Sequence, residues 1–398
     1  MGLGLIFAKV CKSLMRFVPK NKKLILFSAW FGKRYYENSM YEFEYCLKNS
    51  NFKCYWYAKD KQLYYALSKN NIPVVYANSL KGLWYQIRAI MLVSAVQFSD
   101  FNQFLLSGCI YLDLDHGYPG KPVTVKVHEK SNPATQWYYE MRRKVEFYKI
   151  SASVFSKNIL SDNLDVDDNH CIFCNMPRMD VLFDLTLQKG KNNRVAELRE
   201  EKRIISYLPT HRASGKIKMD MSEILNFDEI QTLCEKRKAV FLIKKHFYHK
   251  NEIEEINKYP NIIDITHDDI DTQVLLAQTD ILITDFSSCF VDYLPTDRPI
   301  VFYAYDYDNY MANERDYYWK YDKIKAGYAT KTKEEFINAL ENVTNDWKDN
   351  VHKEGRREMR EVYFDPEVDM GTTREKLMGI MEQLINGTYE PYDWSIKQ

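Results

Sequence analysis

The sequence has few of the features that mark membrane-spanning or nucleic-acid-binding proteins. No apolar run reaches the length of about 20 residues that a membrane span requires. Lysine and arginine number 55, as do aspartate and glutamate, and only 14 of the 398 residues are glycine. A zero charge balance argues against a general nucleic-acid binder, although it leaves room for a local basic patch. We therefore expect a folded protein that neither spans a membrane nor binds nucleic acid.

Three common enzyme motifs are also missing. The absence of GxxxxGK[ST] argues against a P-loop kinase. No GxGxxG follows the first predicted strand, which argues against a dinucleotide-dependent oxidoreductase. The GxSxG turn that carries the nucleophile of α/β-hydrolases is absent too.

Eight cysteines are too few, in a chain of this length, to form a disulfide framework. We expect free thiols in a reducing compartment. The spacing Cys171-Ile-Phe-Cys174 is typical of half a zinc site, but no second CxxC and no HxxxH follows it. Buried thiols at a strand edge are the favoured interpretation. The sequence predicts no cofactor and gives no reason to require a metal.

Short apolar runs alternate with helical patterns along most of the chain. Strands are predicted at 22–29, 52–58, 72–77, 94–99, 110–117, 149–156 and 170–180. After a polar stretch at 187–203 they resume at 204–211, 239–246, 261–266, 280–288 and 299–304. Such alternation indicates parallel sheets covered by helices on both faces. The predicted class is α/β, with two doubly wound Rossmann-type domains facing a cleft, at 21–190 and 200–375, and a tail at 376–398.

Residues 1–20 have apolar positions spaced by three and four, which predicts a helix with one apolar face. Lysine and arginine interrupt it too often for a membrane span. Two interpretations stand side by side. The helix could lie in an anionic membrane surface, or it could pack on the body of the protein with its basic side in water.

Polar side chains cluster where one predicted strand ends. The strand at 280–288 closes with Thr284, Asp285, Ser287 and Ser288. Ligands of open parallel sheets bind beyond the carboxyl ends of the strands. A helix that begins at either serine would offer free N–H groups and hydroxyls to a phosphate. The plainer alternative is an ordinary serine N-cap.

Other strand ends carry similar chemistry. Thr210 and Arg212 follow one strand, and an arginine fork suits a phosphate. His246 lies at the end of another predicted strand, and His116 lies at the end of the one at 110–117. Taken together, these strand ends predict an anionic substrate that contains a nucleotide. His116 would serve as a base in the first domain, with phosphate-binding groups in the second.

Five segments together resemble the CDP-glycerol glycerophosphotransferase family, which comprises teichoic-acid primases and polymerases with relatives in capsule synthesis. The longest and most specific is ITDFSSCFVDYLPTDRPIVFYAYD at 283–306. The shorter ones are FGKRYYENSMYEFEYC (31–46), NMPRMDVLF (175–183), YLPTHR (207–212) and IKKH (243–246). The resemblance extends from about Ser28 to Tyr310.

The resemblance implies a GT-B-like fold and a peripheral position on the cytoplasmic face of the membrane. It also implies a reaction. An acceptor hydroxyl on a lipid-linked or polymeric envelope glycan attacks the β-phosphate of CDP-glycerol or CDP-ribitol, and CMP leaves. By motif position, His116 would be the general base and His246 would contact the donor phosphates. The donor-binding positions would be Thr210, Arg212, Thr284, Asp285, Ser287 and Ser288.

The chain departs from the family pattern at His116. The family has a WHGTP-like stretch where this sequence has DHGYPGKP, so Asp115 precedes the histidine in place of tryptophan. The acceptor side is therefore expected to differ. Two alternatives stay open: a GT-B glycosyltransferase that uses a nucleotide sugar, and a non-catalytic nucleotide-binding scaffold of an envelope-assembly complex.

Overall fold

A computed structural model of the chain describes residues 15, 17–119, 133–189, 194–212, 219–246, 249, 253, 255–313 and 320–397. They divide into two compact units. The first unit lies within Met1–His116, Val123–Asp180 and Phe364–Gln398, and the second within Gly117–Pro122 and Val181–Tyr363. Each unit is built around one parallel β-sheet.

The first sheet has seven parallel strands in the order β3-β2-β1-β4-β5-β6-β7. Their bounds are β1 Asn21–Phe27, β2 Lys53–Ala58, β3 Val74–Tyr76, β4 Ala89–Ser94, β5 Ile110–Asp113, β6 Glu146–Ser151 and β7 Cys171–Phe173. The inner strands are apolar on both faces because helices cover both sides of the sheet. The strand order reverses between β1 and β4, and such a switch point is where open parallel sheets bind ligands.

Six α-helices accompany this sheet among the described residues: Glu37–Asn49, Lys61–Lys69, Leu80–Arg88, Pro133–Arg142, Val154–Leu164 and Thr373–Asn386. Three of them begin at a side chain that accepts a backbone N–H of the first turn, namely Asp60, Ser79 and Ser153. These N-caps satisfy donors that the helix itself leaves without a partner.

The second sheet has six parallel strands in the order β10-β9-β8-β11-β12-β13. Their bounds are β8 Arg203–Tyr207, β9 Ala239–Ile243, β10 Ile262–Asp264, β11 Ile281–Thr284, β12 Ile300–Tyr303 and β13 Tyr328–Thr330. The switch point lies between β8 and β11. One side of the sheet packs against the helices Phe227–Arg237 and Lys333–Asn345 in a core that includes Phe241, Ile283 and Phe336.

The described helices of the second unit are Leu185–Lys189, Arg194–Glu201, Met221–Ile224, Phe227–Arg237, Thr272–Gln278, Cys289–Tyr293, Tyr307–Asn313, Lys333–Asn345 and Lys353–Tyr363. The helix at Lys333–Asn345 begins with a capping box, in which Thr332 and Glu335 exchange side-chain-to-backbone hydrogen bonds.

The predicted α/β class with two Rossmann-type sheets is confirmed. Two details differ. The strand expected at 94–99 lies at Ala89–Ser94 and is followed by a 3-10 turn at Gln97–Asp100. The three-residue strand β13 was not predicted.

The C-terminal residues belong to the first unit, whereas the sequence suggested a second domain to residue 375 and then a tail. Two contacts explain this division. The indole Nε1 of Trp394 donates to the carbonyl oxygen of Cys171 at 3.1 Å. The Tyr392 ring stacks on Phe173 with 4.3 Å between centroids. The chain therefore returns to the β7 edge of the first sheet.

Cys171 and Cys174 are buried at the edge strand β7, and all seven cysteines within the described part of the chain are free thiols. Burial raises the pKa of Cys171 to about 12. Of the predicted N-terminal helix at residues 1–20, residues 1–14 and 16 lie outside the described part of the chain. Among those described, no helix has the length and apolar character needed to cross a membrane.

Candidate functional site

His116 lies just beyond the carboxyl end of β5, on a turn in which Asp115 has a φ of 56°. Its Nδ1 is 3.1 Å from the carbonyl oxygen of Ala95 and 3.2 Å from Oδ1 of Asp115. A carbonyl oxygen can only accept, so Nδ1 carries the hydrogen. When the imidazole is neutral, Nε2 is therefore the nitrogen with the lone pair.

The neighbouring charges favour the protonated form of His116. Burial acts to lower the pKa of His116, but the hydrogen bond to Asp115 and the charges of Asp115 and Glu37 outweigh it and raise the pKa to about 9. The side chain is 46% exposed, and solvent there screens the neighbouring charges. A carboxylate beside the ring stabilises the imidazolium, which is the form produced when the ring accepts a proton.

Asp115 is itself held by a buried ammonium group. The Nζ of Lys149, on β6, lies 2.9 Å from Oδ2 of Asp115 and 2.9 Å from Oδ2 of Asp113, and the lysine side chain is 1% exposed. Burial would raise the pKa of Asp115, but the Lys149 ammonium and the His116 ring outweigh it and lower that pKa. The carboxylate is thereby kept ionised beside the imidazole.

A strained turn after β1 brings an aromatic ring to His116. Trp30, Phe31 and Gly32 all have positive φ, at 48°, 63° and 73°. The Trp30 and His116 ring centroids are 5.3 Å apart. Asp100 stabilises the turn by accepting the Phe31 N–H at 2.6 Å. Positive φ at consecutive residues is costly and tends to be retained where function needs it.

Arg178, in the NMPRMDVLF segment, supports the same turn from the side of β7. Its Nη1 donates to the carbonyl oxygen of His116 at 2.8 Å and to Oε2 of Glu37 at 2.6 Å. The arginine side chain is 4% exposed. Its contacts here are with the protein, and it fixes the backbone that carries His116.

In the second unit, Asp285 joins the loops that follow β8 and β11. Its Oδ1 accepts the backbone N–H of Thr210 at 2.8 Å, the Thr210 hydroxyl at 2.6 Å and the Phe286 N–H at 2.6 Å. Thr284 makes a parallel link, donating from Oγ1 to the Leu208 carbonyl oxygen at 2.8 Å. Thr284 and Asp285 are buried, and they hold together the loops that follow β8 and β11.

Arg212 completes this network. Its Nη2 donates to Oδ2 of Asp285 at 2.8 Å and to Oδ1 of Asp306 at 2.7 Å, and Nε donates to Oδ2 of Asp306 at 2.7 Å. A further bond runs from Nη1 to the Thr210 carbonyl oxygen at 2.7 Å. The guanidinium also lies over the Tyr310 ring, 4.8 Å from its centroid. It is engaged mainly by carboxylates, so a direct contact with the donor phosphates stays a prediction.

Ser287 and Ser288 are partly exposed at the start of a short helix. The helix begins at Cys289 with Ser288 as its N-cap residue, and the Ser288 side chain makes no capping bond. The Ser287 hydroxyl accepts the Cys289 N–H at 3.3 Å. Because this helix has only five residues, its dipole adds little to phosphate binding, and the hydroxyls are the stronger part of the prediction.

His246 follows β9 and lies among other histidines. Its ring centroid is 5.0 Å from that of His211, and its carbonyl oxygen accepts the His249 N–H at 2.8 Å. Nε2 of His249 lies 3.4 Å from the Arg212 backbone nitrogen. Burial, and then the charges of His211, Lys245 and Arg212, lower the pKa of His249. The neutral form of His249 is thereby favoured.

The predicted second-unit residues all lie at the carboxyl ends of the neighbouring strands β9, β8 and β11. Thr284 is the last residue of β11, and the others follow the strands: Thr210, Arg212, His246, Asp285, Ser287 and Ser288. Sequence reasoning missed Asp306 and His249 there and Lys149 in the first unit. Each had a signal: Asp306 ends the apolar run 300–303, His249 is the second histidine of HFYH, and Lys149 is a lone cation inside an apolar strand. Within the described residues, no group of three or more histidine, cysteine or acidic residues could hold a metal ion.

Comparison with known proteins agrees with the segments quoted from the sequence. The profile of the CDP-glycerol:poly(glycerophosphate) glycerophosphotransferase family matches residues 10–381. A teichoic acid poly(glycerol phosphate) polymerase of Bacillus spizizenii is 28% identical over 353 residues, which cover 82% of this chain and 85% of the relative. A teichoic acid glycerol-phosphate transferase of Staphylococcus aureus is 27% identical over 339 residues, covering 81% and 84%.

Among solved structures, the wall teichoic acid polymerase TagF superposes with a TM-score of 0.75 at 22% identity. The superposition covers 97% of this chain and 93% of the TagF chain. At this identity the likeness concerns the fold, and it confirms the GT-B-like architecture of two Rossmann-type units.

Proposed function

Because this chain belongs to the CDP-glycerol:poly(glycerophosphate) glycerophosphotransferase family, we propose that it transfers an alditol phosphate from a CDP-alditol to an acceptor hydroxyl and releases CMP. CDP-glycerol is the first donor to test, since the two relatives that match over more than four fifths of their length are both named for glycerol phosphate. CDP-ribitol is the second. The acceptor would be a lipid-linked or polymeric envelope glycan.

The single observation that carries the proposal in this chain is the hydrogen bonding of His116. With Nδ1 held by Ala95 and Asp115, Nε2 is the atom that can accept the proton of an acceptor hydroxyl when the ring is neutral. Because the pKa of His116 is raised to about 9, the neutral fraction of the ring, and turnover with it, should increase as the pH rises toward that value. The hydroxyl oxygen then forms a bond to the β-phosphorus, the bond from that phosphorus to the bridging oxygen breaks, and CMP keeps the bridging oxygen. A positioned base of this kind contributes about 10²- to 10⁴-fold to rate.

Burial divides the predicted donor-binding residues into two groups. Arg212, Thr284 and Asp285 are buried and bonded to the protein, which supports a role in holding the loops after β8 and β11. Thr210, His246, Ser287 and Ser288 are partly exposed at the same sheet edge. We assign the contacts with the donor phosphates to this second group, in which hydroxyls and an imidazole can stabilise the charge on departing CMP.

We also propose a peripheral position on the cytoplasmic face of the membrane, where a lipid-linked acceptor would be reached. Its proposed basis is the basic amphipathic pattern of residues 1–20. Deleting those residues should weaken sedimentation with anionic lipid vesicles while CMP release with a soluble acceptor analogue continues. Sedimentation that is unchanged after the deletion would contradict this role of the N-terminus.

The deciding experiment measures CMP release by purified protein with CDP-glycerol and CDP-ribitol in parallel, in detergent with a lipid-linked disaccharide acceptor. UDP-sugars serve as controls. Release with one CDP-alditol fixes the reaction and the donor. Activity with a UDP-sugar alone would instead identify a nucleotide-sugar glycosyltransferase, and CDP-alditol binding without turnover on any acceptor tested would favour a non-catalytic scaffold.

A matched pair of variants tests the base. His116→Asn should lower turnover by about 10²-fold or more while calorimetric binding of CDP-glycerol is retained. His170→Asn is the control. His170 also pairs with an aspartate, Asp167 at 2.7 Å, but it precedes β7 at the amino ends of the strands, whereas His116 follows β5 at their carboxyl ends. Equal effects of the two substitutions would contradict a catalytic role for His116.

A further inference from the structure

The ion pairs behind His116 form a chain of charge that nothing in the proposed reaction requires. Lys149 contacts Asp113 and Asp115, and Asp115 contacts His116. We propose that Asp115 is a positioning residue for His116 and that Lys149 holds Asp115 in place, so that this chain orients its base by a Lys149–Asp115–His116 triad. The inference rests on the proposed function only for the role of His116 in turnover.

The geometry supports a directed contact. Oδ1 of Asp115 accepts both the backbone N–H of His116, at 2.8 Å, and the ring Nδ1, at 3.2 Å. Oδ2 of the same carboxylate accepts from Lys149 at 2.9 Å. Each oxygen thus has its own cationic or N–H partner, and the carboxylate cannot rotate without losing both. The ring plane and its tautomer are fixed as a result.

Charge neutrality explains why Lys149 is needed. Asp113 is buried and shares the Lys149 ammonium with Asp115, so this cation offsets the repulsion between the two carboxylates. With one ammonium and two carboxylates the group carries a net charge of −1 while His116 is neutral, and it becomes neutral when His116 accepts a proton. The triad therefore favours the imidazolium that proton transfer produces.

Further charged groups of this unit face His116 from other elements. Glu37, the first residue of the helix Glu37–Asn49, adds to the negative charge. Arg178 opposes it from the turn after β7, through its bond to the His116 carbonyl oxygen. Asp115 lies 3.2 Å from Nδ1 of the imidazole, so it is the residue whose removal should change the ring most.

The test follows the ¹³C-labelled histidine side chains by NMR as a function of pH, with the His116 signal assigned from its loss in His116→Asn. In the unsubstituted protein His116 should titrate above its ordinary pKa. Asp115→Asn should lower that pKa by about one unit or more. The acid limb of the kcat/KM profile should move to lower pH by the same amount, which a merely structural defect would not cause.

Asp113→Asn is the matched control. It removes one carboxylate bound to Lys149 but leaves the Asp115–His116 contact, so its effect on the His116 titration should be clearly smaller than that of Asp115→Asn. Equal shifts in the two variants would overturn the proposal in favour of a diffuse charge effect. A His116 that titrates below its ordinary pKa in the unsubstituted protein would overturn it as well, whatever the variants do.

Lys149→Met tests the other member of the triad. The readout is again the His116 NMR signal, which can be observed even in a variant without turnover. Loss of the ammonium should broaden or shift the His116 signal, and Lys149→Arg should restore it in part. An unchanged signal in Lys149→Met would remove Lys149 from the triad. A raised His116 pKa that falls in Asp115→Asn, observed in a protein that releases no CMP, would contradict the proposed function while leaving the triad intact.

Discussion

Arg212 and Asp285 form a buried ion pair across the switch point of the second sheet, with 2.8 Å between Nη2 and Oδ2. They follow β8 and β11, the two strands between which the order of the sheet reverses. The pair links the PTHR segment, which carries Arg212, to the TDFSS segment, which carries Asp285. Arg212 supplies the cation and Asp285 the anion, and their ion pair holds the loops after β8 and β11 together.

Asp285→Asn should be strongly destabilising. The change leaves Arg212 with a weaker partner and removes a charged acceptor from two N–H groups and a hydroxyl. Breaking a buried pair from one side costs about 3–5 kcal/mol, to be measured by urea unfolding. The remaining folded protein should bind CDP-glycerol more weakly, because the loop that carries Thr210 is no longer held.

The control lies at the other end of the same two strands. Arg203 begins β8 and pairs with Asp280 just before β11, at 3.2 Å, with the arginine 57% exposed. Arg203→Ala should cost less than about 1 kcal/mol, as exposed pairs do. A cost for Asp285→Asn no larger than this would contradict the structural role given to the buried pair.

Asp100 should make the protein lose stability as pH rises from about 4 to 6. Burial raises the pKa of Asp100 to about 6, although three backbone N–H groups oppose the shift. Between its unfolded pKa of about 3.8 and this value, the folded state binds the extra proton, so the free energy of unfolding falls with increasing pH. The fall approaches about 3 kcal/mol at most.

The measurement compares unfolding of the unsubstituted protein and Asp100→Asn at several pH values in that window. Other carboxylates titrate there too, but they contribute to both proteins and largely cancel in the difference. The difference in stability should shrink or change sign between pH 4 and 6. A difference that stays constant would mean that the Asp100 carboxyl titrates at its ordinary pKa when folded.

Much of the fold could be read from the sequence because strands buried on both faces are continuous apolar runs. Ile281, Leu282 and Ile283 illustrate this pattern, and the polar residues after them mark the edge where ligands bind. The strand β4 was displaced in the prediction because AIMLVS follows a helix without a break, so periodicity alone could not separate the two.

The partners of the site residues could not be predicted in this way. Arg212 reads as a phosphate ligand in the sequence, and only the tertiary fold brings Asp306, 94 positions away, to its guanidinium. In the sequence, Lys149 is an isolated cation within an apolar strand, and only the fold brings Asp113 and Asp115 to its ammonium group. Residue types predict chemistry, whereas burial and long-range pairing decide which residues are available to a ligand.

Two glycines inside helices should respond oppositely to alanine. A Cβ on Gly355 would lie 2.0 Å from the carbonyl oxygen of Lys325, whereas a Cβ on Gly379 would meet no atom within 4 Å. Gly355→Ala should therefore destabilise the second unit by about 3 kcal/mol or more. Gly379→Ala should be neutral or stabilise by up to about 1 kcal/mol through helix propensity. Thermal unfolding distinguishes the two, and similar effects would contradict the close approach at Gly355.

Asp180 should control whether the C-terminal helix stays folded on the first unit. Its carboxylate accepts the backbone N–H groups of Thr373 and Arg374, each at 3.0 Å, and Nε of Arg374 at 2.9 Å. The N-cap residue Thr372 makes no side-chain capping bond, so a carboxylate 193 positions earlier in the chain performs that task.

Asp180→Asn replaces one acceptor oxygen by an N–H donor that faces other donors, which leaves a buried N–H without its bond and costs about 1–3 kcal/mol. Amide hydrogen exchange should accelerate across Thr373–Asn386 before it does in the strands of the first sheet. Asp369→Asn is the control, since Asp369 pairs with Lys376 on the same helix at the surface, 44% exposed. Because Asp180 lies two residues after Arg178, which holds the His116 carbonyl oxygen, the variant should also slow CMP release. Slower release with unchanged exchange in the helix would instead mean that Asp180 acts on the site directly.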